Sequence, residues 1–242
     1  MSGARLIGVG VGPGDPELMT LKAVRALAGA EVLAYFAKAG RASNARATVN
    51  GHVPAGVIEL PLLYPVTTEI ASDGPDYSEA IGVFFNQAAA AVAGHLDAGR
   101  RVVVISEGDP LFYGSYMHLH VRLAARYPTE VVPGVTSLSG CWSAAGLPLA
   151  QGNDVLTVVA GTLPEAELGR RFRESNAVAV IKVGRNLARI RRALAGADRL
   201  ARAIYVERGT MAGGLVMRLA DKPDDEAPYF AVVLVPGWEA RP

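Results

Sequence analysis

The run Arg101-Val102-Val103-Val104-Ile105-Ser106 constrains the fold more than any other segment of the chain. Branched β-carbons in succession crowd a helix and suit a pleated strand. The run stops at Glu107-Gly108-Asp109-Pro110, where glycine permits close backbone approach and proline stiffens the exit. The end of such a strand is where an open α/β sheet gathers its ligands.

Other segments repeat the same order of apolar strand and polar turn. Residues 5–10 read as a short buried strand that breaks into Val11-Gly12-Pro13-Gly14-Asp15-Pro16. A helix is expected over 17–27, with Leu18, Leu21, Val24 and Leu27 near one stripe and Gly29 as its stop. Further strands are expected at 31–36, 57–60, 130–132, 155–160, 177–183, 202–206 and 229–235, and helices at 79–98, 113–126, 135–145, 165–173 and 187–194. The stretch 61–78 holds three prolines and little periodicity, which predicts a long surface loop. The alternation predicts an α/β protein of two α/β domains, 1–122 with a mostly parallel sheet and 123–242 with a mixed one.

Composition narrows the function. With 50% hydrophobic and 19% charged residues in 242, the chain has ample material for packed cores. A formal net charge of +1 supplies no global field for nucleic acid or an anionic membrane, so an acidic ligand needs a local cluster of bases. The apolar run at 6–11 is far too short for a signal segment or a membrane span, so cytoplasmic residence is expected. A single cysteine, Cys141, excludes an internal disulfide and a Cys-rich metal site, and a buried inert thiol is expected. Of the four histidines only His118 and His120 are close, and on a helix that spacing points them apart, so no metal site is expected.

Gly8-Val9-Gly10-Val11-Gly12-Pro13 invites comparison with a dinucleotide-binding fingerprint, but Pro13 stands where its third glycine belongs. Glu31 stands at the start of the second strand, not at its end, which further opposes NAD. No Gly-Lys-Ser or Gly-Lys-Thr follows, so the turn is not a P-loop. Asp15, Glu107 and Asp109 each lie at a strand end and are candidate acid-base groups, with turn and cap roles as their structural alternative. Lys38, Arg41 and Arg46 flank a polar segment after the second strand and would suit a carboxylate-bearing ligand. The runs Arg170, Arg171, Arg173 and Arg189 to Arg192 are expected to form solvated helix faces.

Two further turns complete a set: Pro133-Gly134-Val135-Thr136-Ser137, and Glu207-Arg208-Gly209-Thr210. With the Gly-rich start, Thr20-Leu21-Lys22 and Glu107-Gly108-Asp109-Pro110, their order along nearly the whole chain resembles the tetrapyrrole methylase family. The segments 40–46 and 113–117 look most like the branch that methylates C20 of precorrin-2. The resemblance implies a homodimer of two α/β domains that binds S-adenosyl-L-methionine (AdoMet) in a cleft between them. It places Pro13, Glu107, Gly108, Asp109, Phe112, Thr136, Ser137, Val183 and Gly209 around the cofactor, Val183 and Gly209 through backbone groups. A tetrapyrrole would be the substrate, with no nucleic-acid or membrane partner. The same chemistry on cobalt-factor II, an NAD-dependent oxidoreductase, and a tetrapyrrole-binding protein without turnover are the alternatives.

Overall fold

In the computed structural model the described residues are 3–65 and 75–237, with 75–78 described as backbone alone. The chain divides into two compact units, Met1–Thr136 and Ser137–Pro242. The first runs β1 (Arg5–Gly10), α1 (Leu21–Ala28), β2 (Val32–Lys38), α2 (Asn44–Thr48), β3 (Ile58–Tyr64), α3 (Pro75–Asp97), β4 (Arg101–Ser106), α4 (Tyr116–Leu123) and β5 (Thr129–Val132). Its sheet has the order β3-β2-β4-β1-β5, and every pairing is parallel.

Both faces of that sheet are covered, which explains why its central strands are apolar at successive positions and do not alternate. Ile7, Val9, Leu33, Val103 and Ile105 pack under Ala23 and Leu27 of α1 and Ala45 of α2. Leu6, Val32, Ala34, Val102 and Val104 pack under α3 and α4, where Phe84, Phe85, Tyr116 and Leu119 lie. From neighbouring β1 and β4 the chain crosses in opposite directions, β1 to β2 and β4 to β5. The carboxyl ends of these two strands therefore form the topological switch point of the sheet.

Several expectations shift. Thr20 caps α1 by accepting from the Ala23 N–H at 3.1 Å, after a short 3-10 turn at Pro16–Leu18. That start sets the phase, so Met19, Ala23 and Leu27 form the buried stripe and Leu21 is 77% exposed. The expected loop at 61–78 begins instead as β3, which continues to Tyr64 against β2 up to Lys38↔Tyr64. Pro61 is tolerated because β3 is an edge strand. Residues 66–74 of that expected loop lie outside the described residues, and α3 begins at Pro75. The polar segment after β2 contains α2, capped by Ser43 Oγ on the Arg46 N–H. The units divide after Thr136 and not after 122, because β5 pairs with β1 from Leu6↔Thr129 to Val9↔Val132 and belongs to the first sheet.

The second unit contains α5 (Ser137–Ala144), β6 (Leu156–Ala160), α6 (Glu165–Glu174), β7 (Ala177–Ile181), α7 (Leu187–Gly196), β8 (Ile204–Glu207), β9 (Leu215–Arg218) and β10 (Ala231–Val235). Its sheet, β6-β7-β10-β8-β9, is mixed: β6 and β7 are parallel, and the remaining pairs are antiparallel. Phe172, Ile190 and Leu194 of α6 and α7 pack on Val178, Val180, Tyr205 and Val233, while Leu138 and Cys141 of α5 cover the other face. On α6, Arg170 and Arg171 pair with Glu167 on the exposed surface, as a solvated face should. Arg191 departs from that expectation. Its guanidinium donates to the carbonyls of Leu219, Lys222 and Asp224 and pairs with Asp225 at 2.8 Å, stapling the segment after β9 to α7. Among the described residues no helix is long and apolar enough to cross a membrane.

One contact ties the first sheet to α4. Gly8 of β1 faces the fully buried ring of Tyr116, and a β-carbon there would fall among the ring atoms. Gly8→Ala should therefore cost about 1–3 kcal/mol by overpacking, which lowers the melting temperature by several degrees in a chain this long. Gly82→Ala in α3, where an added β-carbon meets nothing within 4 Å, should leave it level or raise it. Thermal unfolding of both variants checks the contrast, and equal melting points would remove the Gly8–Tyr116 contact as a constraint.

Candidate active site

At the switch point three turns meet backbone to backbone. The Val11 N–H donates to the Ser106 carbonyl at 2.9 Å and the Gly108 N–H to the Gly12 carbonyl at 2.8 Å, forming an antiparallel bridge beyond the strand ends. Gly12 and Gly108 have φ of +80° and +65°, a region that favours glycine. A β-carbon on Gly10 would lie 2.5 Å from the Gly108 carbonyl oxygen and 2.6 Å from the Gly134 nitrogen. A β-carbon on Gly134 would lie 2.9 Å from the Gly10 backbone. Only glycine fits at either position.

Asp109 locks this arrangement. Its Oδ1 accepts from the Leu111 N–H at 2.9 Å, and its Oδ2 accepts from the Gly134 N–H at 3.1 Å across to the turn after β5. The residue is thus both the turn former expected from sequence and a bridge between two loops. Asp15, on the neighbouring turn, caps the 3-10 segment through the Glu17 N–H at 2.9 Å. Glu107 is different. It is exposed as a residue, yet its carboxyl reaches the start of α2 and accepts from the Asn44 side chain and the Ala45 N–H. Desolvation there outweighs those bonds and raises the carboxyl above the usual range.

Around this cradle Glu107, Leu111, Phe112, Tyr113 and Pro133 are exposed, while Pro13, Asp109 and Thr136 are half-buried. Ser137, which opens the second unit, is exposed. Ser106, 7% exposed, carries a buried Oγ that has no hydrogen-bond partner among the described residues. Backbone that only glycine can line, with polar groups at its rim, suits a small ligand held through backbone groups.

The three basic residues singled out by sequence all line one open depression of about 530 Å³ at the carboxyl side of β2 and β3, with Tyr35 and Leu63. They are not equivalent. Arg46 is held by Glu59, with Nε 2.9 and 3.1 Å from the two carboxylate oxygens, and donates to Asn50 at 2.6 Å. Its guanidinium is thus anchored within the lining of the depression. Arg41 is exposed and makes no ion pair among the described residues, and Lys38 ends β2 beside it.

In the second unit Val183 is fully buried and its side chain belongs to the core under α7, so it presents backbone alone. It stands between Lys182 and Gly184, whose φ values are +55° and +33°. Gly209 packs on Cys141, where a β-carbon would lie 3.0 Å from Cα and 3.1 Å from Sγ. The Gly209 N–H donates to that sulfur, and burial pushes the thiol up to about 11, which makes it the inert group expected. Left-handed backbone at Tyr113, Lys182 and Arg208 escaped the sequence reading, because no residue type there announces it. His118 stacks on Phe85 at 3.9 Å and His120 lies against Tyr116, so the two rings face different neighbours. Glu31 accepts from the Arg101 N–H at the amino end of the sheet, the wrong end for a ribose beside the glycine turn.

Residues 5–220 match the profile of the family described as Tetrapyrrole (Corrin/Porphyrin) Methylases. The chain is 65% identical over 238 residues to a protein of Sinorhizobium sp named Precorrin-2 C(20)-methyltransferase, covering 98% of this chain and 97% of that one. It is 31% identical to the Cobalt-precorrin-2 C(20)-methyltransferase of Salmonella typhimurium, over 97% and 98% of the two chains. Among solved structures, the uroporphyrin-III C-methyltransferase of Thermus thermophilus complexed with S-adenyl homocysteine is 26% identical. Its TM-score is 0.66, with 96% of this chain and 98% of that one covered.

Two outcomes follow from the acids. Asp109→Ala removes an acceptor shared by two backbone donors and should cost about 2 kcal/mol, with Asp109→Asn losing less; chemical denaturation measures both. For Glu107 the folded pKa exceeds the unfolded value, so the native state holds the proton more tightly. Its contribution is greatest below the unfolded value and declines as pH rises through the folded one. Melting curves of wild type and Glu107→Gln from pH 4 to 8 should diverge in favour of the variant as pH rises. Parallel curves would show that the carboxyl is not desolvated.

Proposed function

The chain belongs to the tetrapyrrole (corrin/porphyrin) methylases, and from that premise we propose that it is an AdoMet-dependent methyltransferase that methylates C20 of precorrin-2 to give precorrin-3A in cobalamin biosynthesis. The observation that carries this is the 65% identity, over nearly the full length of both chains, to a protein named for that reaction. The identity to the cobalt-precorrin-2 enzyme is 31%, which favours the metal-free substrate over cobalt-factor II. An NAD-dependent oxidoreductase is disfavoured by Pro13 and by the position of Glu31.

When bound, AdoMet supplies a methyl group already activated on a sulfonium, so the protein's task is alignment. Holding the nucleophilic carbon of the substrate and the methyl group in attacking geometry contributes up to roughly 7–11 kcal/mol, with no nucleophile required from the protein. Pro13, Glu107, Gly108, Asp109, Phe112 and Thr136 of the first unit, with Ser137 and the backbone of Val183 and Gly209 of the second, are the proposed cofactor contacts. The glycine-lined cradle fits that role because it brings backbone groups within reach of a ligand and leaves no side chain in the way. Asp109 holds the turn and positions the others, since both of its oxygens are engaged by backbone N–H groups.

Methylation at C20 also requires loss of a proton. Glu107 is the proposed acceptor, because it stands at the carboxyl end of β4 and desolvation raises the proton affinity of its carboxyl. The acidic arms of the macrocycle are assigned to Arg41 and Lys38, with Arg46 shaping the depression from behind. The same proposal places the enzyme in the cytoplasm as a homodimer.

Purified protein incubated with AdoMet and precorrin-2 should yield a product one methyl heavier, read by mass spectrometry. No added methyl on either precorrin-2 or cobalt-factor II would overturn the proposal. Arg41→Ala should raise KM for the tetrapyrrole about tenfold, the loss of one charge-assisted hydrogen bond, and leave AdoMet affinity unchanged. An unchanged KM would remove Arg41 from the substrate site.

A further inference from the structure

Between the Asp109 lock and α4 the chain displays Leu111, Phe112 and Tyr113, which are 45%, 37% and 51% exposed. Three consecutive large apolar side chains facing water are a marker of a binding surface, where a scattered single one is not. The turn that carries them is held tightly. Asp109 Oδ1 fixes the Leu111 N–H, the Phe112 N–H donates to the Asp109 carbonyl, and a β-carbon on Gly114 would lie 2.9 Å from the Pro110 carbonyl oxygen.

Tyr113 sits in this turn with φ of +56°. For a bulky aromatic residue that conformation is strained, because the β-carbon crowds the following peptide. Its ring meets Phe112 edge to face, with centroids 5.0 Å apart and an interplanar angle of 90°. Folding by itself favours the opposite choice, since glycine at 113 would relieve the backbone and remove an apolar ring from water. Strain held in a rigid, exposed turn beside a ligand cradle points to function.

We infer that the Tyr113 ring, presented outward by its left-handed backbone, is the surface on which the macrocycle of the tetrapyrrole lies, and that it sets the approach of the methyl-accepting carbon. The inference rests on the tetrapyrrole reading above. A flat conjugated ligand matches an aromatic face that is rigid before binding, so little freedom is lost when it docks. The placement is consistent with the basic residues: β2, which ends at Lys38, and β4, which leads into this turn, are adjacent strands paired through Tyr35↔Ile105. The ring would hold the plane and Lys38 with Arg41 the acidic arms. Tyr113 is thus a positioning and specificity residue.

The test compares the full-length wild type with Tyr113→Phe, Tyr113→Leu and Tyr113→Gly. Calorimetry with S-adenosylhomocysteine reports cofactor affinity and folding of the site, and steady-state kinetics reports KM and kcat for precorrin-2. Tyr113→Leu and Tyr113→Gly should raise KM about tenfold, the worth of a lost aromatic contact, with S-adenosylhomocysteine affinity unchanged, and Tyr113→Phe should restore wild-type values. Tyr113→Gly should also melt about 2 °C higher, because the left-handed strain is gone. An unchanged KM in Tyr113→Leu beside an active wild type overturns this inference alone. A loss of cofactor affinity in Tyr113→Leu overturns it too, assigning the ring to AdoMet. A wild type that methylates neither tetrapyrrole removes the functional reading and this inference with it.

Discussion

The carbonyl of Gly108, seated against the backbones of Gly10 and Gly134, is the contact on which the first unit's functional end depends. It joins the turns after β1, β4 and β5 with no side chain between them. Strand pairing alone would not do this, because the registers end at Gly10↔Ser106 and Val9↔Val132 and the chain then leaves in different directions. The Gly12–Gly108 bridge and the two hydrogen bonds into Asp109 continue the order beyond the sheet. The cofactor contacts proposed for the first unit are presented from that platform: Pro13 before it, Glu107 and Phe112 around it, Thr136 after it.

Charge is arranged locally. With a net formal charge of +1 the chain offers no general attraction for anions, so what matters is which bases are already engaged. Arg46 and Arg191 are tied to carboxylates and carbonyls and act as parts of the scaffold. Arg170 and Arg171 form exposed pairs on α6, of the kind that contributes little to stability. Arg41 is distinguished by what it lacks among the described residues, and Glu107 by crowding that disfavours its charge.

The centre of the first sheet was legible because β1, β2 and β4 are dominated by apolar runs, and each leads into a turn that glycine, proline or aspartate announces. The expected β4 and the observed Arg101–Ser106 coincide, and the parallel and mixed characters of the two sheets follow the expected order. Legibility failed where a partner decides the state. Residues 61–64 became strand through pairing with β2 in spite of Pro61, and β9 exists as the edge partner of β8. The domain division moved past β5 because a four-residue strand shows no sign in its own sequence of which sheet it joins.

The sequence by itself determined the fold class, the buried state of Cys141, the family resemblance and the turns that carry the candidate site, since these depend on local chemistry read in order along the chain. Tertiary structure alone decided that Asp109 bridges to Gly134, that Arg46 is paired with Glu59, that Val183 turns its side chain into the core and that Tyr113 is held in a strained, outward pose. The physical reason is the same in each case. A hydrogen bond, an ion pair or a burial contact between residues distant in the chain depends on the geometry of both partners, and one-dimensional spacing carries no information about the second.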